Sequence, residues 1–487
     1  MNLFRARCNH RRAHLLIVAG VFALNACTIA PTYKKPEIAA PDNWNAPVDA
    51  NAGDNWQPAT PADHTARGVW WQRFNDDELN TLETQLQNGN FNLQIAVARY
   101  DTARTNANYA DSGLFPTIGV DASVQRKRDS ANKPPAASSA GTRPYSDALV
   151  RAQISYEIDL WGRLRNTARA ADYRATAANA DLVSAKLSLE TELAQNYFHA
   201  RALDTLIELL TNSSTSYARA LELTENRYRG GIARASDVDQ ARVQLSSIQT
   251  QLADAQLQRQ QAQNAIAVLI GVAPENYSLP VRALSAEAPN IPVGLPSQLL
   301  QRRPDIAGAE RRVAAANADI GIARSAWFPT FTLNALGGYE NNSTGNWLIA
   351  PNRLWAAGPA AALTLFDFGA RRAQSDIAWA NYREAVATYR QNVINGYREV
   401  EDNLAATRIL NDERNSQHLA AEAAVRSQQQ TEQRYRGGIS LYLEVVTAQD
   451  KALTAQQSEL NIRERQLTAA IQLIKALGGD WEAASSE

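Results

Sequence analysis

The sequence predicts a mixed fold in which long α-helices are combined with transmembrane β-hairpins, and it predicts this unit twice in one chain. Three observations support the prediction. A hexapeptide recurs 207 positions further along, two long intervals are almost free of glycine and proline, and several segments alternate strictly between polar and apolar residues. A chain of 487 residues with these features is typical of an elongated assembly and not of a compact enzyme.

The internal duplication is visible in two motifs. Arg227–Ile232, with the sequence Arg-Tyr-Arg-Gly-Gly-Ile, returns as Arg434–Ile439. Phe115–Thr117 returns as Phe328–Thr330, 213 positions later. The difference between the two offsets falls near residues 133–136, where a surface hairpin loop can change its length freely. Two copies of one long unit predict halves that lie side by side around an axis.

The N-terminus predicts secretion and a lipid anchor. A basic segment precedes the apolar run Leu15–Leu24, which is too short to span a bilayer and is typical of a signal peptide. Cys27 follows this run, as in a bacterial lipobox, which implies cleavage before Cys27 and acylation of its sulfur. Thr28 stands where aspartate favours retention in the inner membrane, so the pattern indicates the outer membrane. An ordinary signal peptide cut near Ala26 is the alternative.

Composition excludes several classes of protein. Cleavage removes four arginines and no acidic residue, so the formal net charge changes from −1 to −5. This mildly acidic balance gives no support to a nucleic-acid partner. Cleavage also removes Cys8 and leaves Cys27 as the single cysteine, so no disulfide forms within the mature chain. No later apolar stretch reaches the length of about 18 residues that a membrane-spanning helix requires.

Long helices are predicted from the distribution of glycine and proline. The interval between Gly162 and Gly230 contains neither residue, and the matching interval between Gly369 and Gly437 contains only Gly396. Both are rich in strong helix formers, and each helix would be roughly 100 Å long. Shorter helices are expected after them, over 233–270 and 440–477. The double glycine between the helices supplies the positive φ of a tight reversal, so each pair is a helical hairpin.

The predicted strands have the period and length of transmembrane strands. Polar and apolar residues alternate over Thr117–Gln125 and Val150–Leu160. The second hairpin is less regular, because Ala356–Leu365 is apolar on both faces, and a half-buried soluble sheet is the alternative. Aromatic residues cluster at the strand ends, as in interfacial girdles. They are Phe115, Trp161, Trp327, Phe328, Trp355, Phe366 and Phe368.

Four strands cannot close a barrel. An open sheet in lipid would leave unpaired backbone groups that cost several kcal/mol each, so the chain is expected to oligomerise. Three copies would supply twelve strands and twelve hairpin helices, which is an even-numbered barrel continuous with a helical tube.

Further motifs resemble the outer membrane factor family. They are Trp70-Trp71 with Phe74, Asp77, Leu79 and Leu82; Leu295-Pro296-Ser297 with Leu299-Leu300; Arg302-Arg303-Pro304-Asp305-Ile306 with Glu310; Trp327-Phe328-Pro329; and the two Arg-Tyr-Arg-Gly-Gly turns. The resemblance covers nearly the whole mature chain and is to the lipoprotein branch of NodT- or OprM-like efflux channels, relatives of TolC. It implies a homotrimer with a 12-stranded β-barrel in the outer membrane of a Gram-negative bacterium and a periplasmic α-helical barrel.

The family also implies partners and a function. An inner-membrane pump, commonly of the resistance-nodulation-division class, would deliver drugs or other small toxic compounds through a periplasmic adaptor, and this chain would be the passive exit duct. The covalent lipid on Cys27 would be the only non-protein group. The predicted segments are a signal peptide (1–26), a tether (27–67), repeat 1 (68–280, hairpin 115–161), a Pro-rich linker (281–296), repeat 2 (297–479, hairpin 328–368) and a tail (480–487).

Two groups of site residues follow from the resemblance. The adaptor-docking turns comprise Tyr228, Arg229, Gly230 and Gly231 in repeat 1 and Tyr435, Arg436, Gly437 and Gly438 in repeat 2. The periplasmic gate comprises Arg234, Asp237, Ser440, Tyr442 and Glu444. Asp237 and Glu444 align with constriction aspartates, Thr447 replaces a further aspartate, and the Arg234 side chain is the expected partner of Asp237. The alternative is that these acids only stabilise the first helical turn.

Other functions remain alternatives. Type I protein secretion and metal-ion efflux use similar channels, and a periplasmic adaptor or structural helical protein also carries long helical hairpins. An enzyme has no support, since the five histidines are scattered and no metal-ligand spacing, nucleophile elbow or phosphate loop is present.

Replacement of Cys27 by serine tests the lipid anchor. We expect Cys27→Ser to lose all incorporation of labelled fatty acid, because serine has no thiol for the acyl-transfer reaction, while some barrel insertion persists through the apolar strand faces. Metabolic labelling followed by outer-membrane fractionation measures both. Equal labelling of the variant and the parent protein would show that Cys27 is not acylated.

Overall fold

The computed structural model describes residues 29–38, 68–128, 130, 144–291, 302–342 and 345–479. The signal peptide, Cys27 and most of the predicted tether lie outside these residues. The described chain divides into two compact units. Unit 1 contains described residues 29–37, Tyr100–Ala178 and Ala309–Tyr389, and unit 2 contains the other described residues. Each unit therefore takes segments from both predicted repeats.

Helices and strands follow the predicted order. They are α1 (Asp77–Gly89), α2 (Phe91–Ser112), β1 (Thr117–Lys127), β2 (Tyr145–Ile158), α3 (Arg163–Arg229), α4 (Ala235–Leu269), α5 (Pro304–Ser325), β3 (Thr330–Asn341), β4 (Arg353–Ala362), α6 (Ala370–Arg436) and α7 (Tyr442–Ala476), with short 3-10 turns at Trp70–Phe74, Pro274–Asn276 and Ala350–Asn352. Among the described residues, no helix combines the length and the apolarity needed to cross a membrane.

The long helices confirm the duplication. α3 and α6 each span 67 residues, and α4 and α7 each span 35. Every boundary of α6 and α7 lies 207 positions after the matching boundary of α3 and α4. Gly396 does not interrupt α6, because one glycine costs only about 1 kcal/mol in a helix interior. The shorter helices are trimmed relative to the prediction, since the first residues after each glycine turn are still non-helical.

Unit 1 contains one antiparallel sheet with the strand order β1-β2-β3-β4. β2 pairs with β3, so the hairpins of the two repeats form a continuous sheet. β1 and β2 extend further toward their connecting loop than predicted, because the ladder continues to the Lys127–Tyr145 pair and Lys127 forms an ion pair with Asp147. Within the described residues, β1 and β4 each pair on one side only.

The two faces of the sheet differ as the alternation predicted. Ile118, Val120 and Val124 share one face of β1 and are exposed in the single chain. On the opposite face the Arg151 guanidinium lies 3.2 Å from the Asp121 carboxylate. β4 is the irregular strand, and it contains Pro359 opposite Leu333. Proline lacks an N–H and cannot donate to a strand ladder, which makes β4 the less regular strand of its hairpin.

An N-terminal segment packs on α5 within unit 1. The Tyr33 hydroxyl donates to the Glu310 carboxylate at 2.5 Å. Further along α5, the side-chain amide of Asn317 donates to the carbonyl of Pro31 at 2.9 Å. The first described residues are therefore held by side chains of repeat 2.

The core of unit 2 is rich in aromatic rings. Trp70 and Phe74 meet edge to face at 6.2 Å, and Phe74 contacts Phe198 of α3 at 5.1 Å. Asp76 caps the N-terminus of α1 and accepts a hydrogen bond of 2.8 Å from the Tyr197 hydroxyl. These contacts fix the start of α1 against α3, and large buried rings of this kind dominate core stability.

A buried ion-pair network surrounds Arg201 of α3. Its guanidinium donates to Glu78 at 2.7 Å, to Asp204 at 3.1 Å and to the carbonyl of Pro280 at 2.5 Å. Arg259 of α4 reaches the same Asp204 at 3.0 Å. Buried charges persist only when they are paired, so this network ties α1, α3, α4 and the following segment together.

Glu83 of α1 is the contrasting case. Its carboxyl is fully buried, and neither oxygen has a hydrogen-bond partner among the described residues. Burial, together with the nearby Glu190 carboxylate, raises the pKa of Glu83 to about 10, although Lys186 opposes this shift. The side chain is therefore neutral at physiological pH.

The pH dependence of stability follows from Glu83. Its pKa is raised in the folded chain, so its contribution is complete below the ordinary value near 4.5 and is lost as the pH rises toward 10. The free energy of unfolding falls by up to about 1.4 kcal/mol for each pH unit in this range. The thermal midpoint of the parent protein should fall between pH 6 and pH 8, an interval of about two pH units over which this slope applies. We expect Glu83→Gln to make that fall smaller. Glu208→Gln, at an exposed site, should leave it unchanged. Parallel curves for both variants would show that Glu83 does not titrate as described.

Two glycines with similar backbone angles test the role of close packing. Gly271 has φ +77°, and a Cβ there would lie 2.1 Å from the carbonyl oxygen of Gly89. Gly231 has φ +72° with nothing within 4 Å of the same position. We expect Gly231→Ala to cost about 1 kcal/mol from the left-handed conformation. Gly271→Ala should cost roughly 2–5 kcal/mol, because overpacking adds to that strain. Thermal denaturation of the detergent-solubilised protein measures both, and equal losses would contradict the packing argument.

Candidate functional site

The predicted docking turns have the geometry that their double glycines require. After α3, the N–H of Ile232 donates to the carbonyl of Arg227 at 2.8 Å, and the N–H of Gly231 donates to the carbonyl of Tyr228 at 2.9 Å. This is the Schellman pattern, in which the residue after the helix adopts a positive φ. Gly438 repeats it after α6 with φ +74°. Both turns therefore need glycine at their second glycine position.

Both turns present bare backbone beside apolar side chains. A Cβ atom added at Gly231 or Gly438 would meet nothing within 4 Å. The residues that follow, Ile232 and Ile439, are 79% and 73% exposed in the single chain. Exposed apolar side chains next to an open backbone surface are typical of a protein-docking site.

The two tyrosines of the repeated hexapeptide have different environments. Tyr228 is 50% exposed, whereas Tyr435 is 7% exposed. The Arg227 guanidinium lies 4.3 Å from the centre of the Tyr435 ring and donates to the carbonyls of Tyr435 at 2.9 Å and Arg436 at 3.1 Å. The Tyr435 hydroxyl is also 3.3 Å from the Thr224 hydroxyl. Arg227 thereby joins the C-terminal ends of α3 and α6.

A small aromatic core lies beneath this contact. The rings of Tyr435 and Tyr442 are 5.5 Å apart, and both pack with Ala241 and Val445. Burial raises the pKa of Tyr442 to about 12, and the neighbouring Tyr435 adds to the shift. A cavity of about 100 Å³ remains between these helices, with Glu432 in its lining. The end of the helical hairpins is therefore packed by aromatic side chains.

The predicted gate acids lie at the first turns of α4 and α7. Asp237 accepts a hydrogen bond of 3.1 Å from the backbone N–H of Arg234, which is the N-cap residue of α4. In the single chain Asp237 therefore caps the start of α4 through one carboxylate oxygen, and its expected pairing with the Arg234 guanidinium remains a prediction for the closed trimer. Glu444 is exposed, and the Ser440 hydroxyl donates to the carbonyl of Thr431 at 3.4 Å.

Sequence comparison relates this architecture to a known family. The sequence model described as outer membrane efflux protein matches residues 82–272 and 295–479. These two matched segments together cover more than half of the chain. The chain belongs to the outer membrane efflux protein family.

Relatives of this outer membrane efflux protein span nearly its full length. The toluene efflux pump outer membrane protein TtgC of Pseudomonas putida is 31% identical over 470 residues, which cover 96% of this chain and 95% of TtgC. The cation efflux system protein CusC of Escherichia coli is 28% identical over 479 residues, 96% of this chain and 99% of CusC. The solved outer-membrane channel OprN has a TM-score of 0.83 at 27% identity, covering 93% of this chain and all of OprN.

Membership of this family confirms the predicted fold class and the predicted location in the outer membrane. This outer membrane efflux protein has the mixed fold of the trimeric TolC-like channels. It is an efflux channel of the Gram-negative outer membrane with a periplasmic helical part. The described residues contain no group of three or more His, Cys, Asp or Glu side chains placed to hold a metal ion.

Sequence reasoning missed Arg227 and Thr224 in this efflux protein. It also treated the two hexapeptides as equivalent, although the ring of Tyr435 is buried and is not part of an open docking surface in the single chain. Identical sequences carry no signal for that difference. One signal was available, because Tyr442 of repeat 2 corresponds to Ala235 of repeat 1, and only repeat 2 supplies a second ring.

Proposed function

We propose that this chain is the outer-membrane duct of a tripartite efflux system that expels small toxic organic compounds. The observation that carries the proposal is the pair of open Gly-Gly turns, each at the end of a 67-residue helix. They form a twofold-repeated surface of bare backbone on which a partner can dock. The similarity to TtgC, a toluene efflux channel, supports organic compounds as the exported class.

The docking partner in this proposal is a periplasmic adaptor that connects the channel to an inner-membrane pump of the resistance-nodulation-division type. A helical tip of the adaptor would contact Gly230, Gly231, Gly437 and Gly438, where the absence of side chains permits close backbone approach. Arg229 and Arg436 flank the glycines and are exposed. Tyr435 is left out of this surface because Arg227 covers its ring.

The gate in this proposal lies at the same end of the hairpins. Threefold symmetry would place Asp237 and Glu444 in rings of like charge, which disfavours approach of the helices to the axis. The closed state therefore depends on packing between protomers, while the buried contact of Tyr442 with Tyr435 holds the hairpin ends of each chain together. In this arrangement Arg234 and Ser440 shape the helix entries through a backbone N–H and a hydroxyl contact.

Lipidation at Cys27 is part of the proposal. The described segment begins at Ile29, whose carbonyl is 3.5 Å from the Arg324 guanidinium near the end of α5. Arg324 is followed by the residues that lead into β3. Trp327 and Phe328 in this connection are partly exposed, as expected of side chains at a membrane interface.

Bulky replacements at the turns test the docking surface. We expect Gly231→Trp and Gly438→Trp to keep the trimer intact and to abolish both adaptor cross-linking and resistance to exported organic compounds, because an indole would occupy the contact surface. Gly231→Ala and Gly438→Ala are the matched controls, since they carry the same backbone strain of about 1 kcal/mol without the bulk.

Trimer content on native gels, cross-linking yield and growth in the presence of toxic compounds measure these effects in a strain that lacks the chromosomal channel. Normal resistance and cross-linking in both tryptophan variants would place the adaptor elsewhere. Loss of function in the alanine controls as well would show that backbone strain, and not bulk, is responsible.

A further inference from the structure

The contact between Arg227 and Tyr435 joins the two repeats of one chain. It consists of a guanidinium stacked on a ring, two hydrogen bonds to the last carbonyls of α6, and a hydroxyl pair formed by Thr224 and Tyr435. A cation at the C-terminal end of a helix is also favoured by the helix dipole. We call this contact the internal junction.

The residues of the internal junction all have counterparts 207 positions away. Thr224 corresponds to Thr431, Arg227 to Arg434, and Tyr228 to Tyr435. The counterpart threonines share one local geometry, since Thr224 donates to Ala220 at 2.8 Å and Thr431 donates to Ser427 at 2.9 Å. Each repeat therefore carries both halves of the contact, a donor half with Thr and Arg and an acceptor half with Tyr.

One donor half and one acceptor half remain unused in the single chain. Arg434 and Tyr228 are exposed, and within the described residues neither side chain has a hydrogen bond, an ion pair or a ring contact. Their counterparts Arg227 and Tyr435 are engaged with each other. In a closed ring made of duplicated chains, the free donor of one chain faces the free acceptor of the next.

We propose that Arg434 of each protomer stacks on Tyr228 of the neighbouring protomer and donates to the last carbonyls of that protomer's α3. The partner is a second copy of this chain. A trimer then has six junctions of one chemistry at this end, three internal and three between protomers. The inference rests on the proposed placement of the gate here, and it adds the contact that holds neighbouring protomers together at the gate.

The two kinds of junction differ at one position. In the internal junction Tyr442 packs on Tyr435 at 5.5 Å. The residue in repeat 1 that corresponds to Tyr442 is Ala235, so the junction between protomers lacks this second ring. It buries less aromatic surface and is the weaker of the two. The channel therefore opens by separation of protomers, while each chain keeps its own repeats together.

Thiol cross-linking tests the contact directly. Tyr228→Cys combined with Arg434→Cys should yield covalent dimers and trimers with a short bismaleimide on denaturing gels. The matched pair Arg227→Cys and Tyr435→Cys should react within one chain and remain monomeric. Tyr228→Cys alone controls for linkage between thiols related by the threefold axis. A second pair, Tyr228→Cys with Thr431→Cys, covers the case in which the first pair does not assemble.

Conductance in planar bilayers measures the effect on opening. We expect Arg434→Ala to open more often, by roughly two- to fivefold for each junction between protomers that opening breaks, which is the range that one exposed cation–π contact supplies. Arg434→Lys should restore only part of the closure, because an ammonium lacks the planar guanidinium. Native gels confirm that each variant is trimeric.

The outcomes separate this inference from the proposed function. Suppose that the native trimers are intact and that the internal pair reacts, but both pairs that include Tyr228→Cys run as monomers on denaturing gels. This result would overturn the contact between protomers and leave the proposed gate in place. Cross-linked trimers together with unchanged conductance of Arg434→Ala would support the contact and remove the gate from this end. Equal oligomer yields from Tyr228→Cys alone would also overturn the inference.

Discussion

A four-stranded sheet with a free edge on each side cannot persist in hydrocarbon, because each unpaired N–H or carbonyl group would lose water without gaining a partner. In the described chain, β1 and β4 each pair on one side only, and the apolar face of β1 is exposed. Other copies of the chain must supply the missing edges. Oligomerisation is therefore a requirement of the fold, and the family to which the chain belongs forms trimers.

The internal duplication gives each protomer two similar sets of contact residues. Helix boundaries repeat at an offset of 207 residues, so each protomer presents two nearly equal hairpins. Because the two hairpins are nearly equal, a contact seen within the chain predicts the contact expected between neighbouring chains. Small differences between the hairpins then distinguish the two contacts. Repeat 2 has Tyr442 where repeat 1 has Ala235, and in the proposed arrangement this ring makes the internal junction stronger than the junction between protomers.

Unit 2 is stabilised by contacts within one chain, whereas the sheet depends on pairing with other chains. Aromatic packing around Trp70 and Phe198 and the ion-pair network of Arg201 hold short elements against α3. The neutral, unpaired carboxyl of Glu83 lies in the same unit and costs stability as the pH rises. At the ends of the hairpins the buried contacts are instead made by the packed rings of Tyr435 and Tyr442.

Local patterns in the sequence determined the helices, the strands and the turns, because helix length follows from uninterrupted helix formers and a double glycine permits only a few reversals. They also determined the duplication, and through the motifs at Trp70 and Arg302–Ile306 they indicated the family. Only the tertiary structure decided which tyrosine of the two hexapeptides is buried, that the backbone N–H of Arg234 donates to Asp237, and that Arg227 covers Tyr435. Two identical segments have identical propensities, so their different environments arise from the helices that pack around them, which no local pattern encodes.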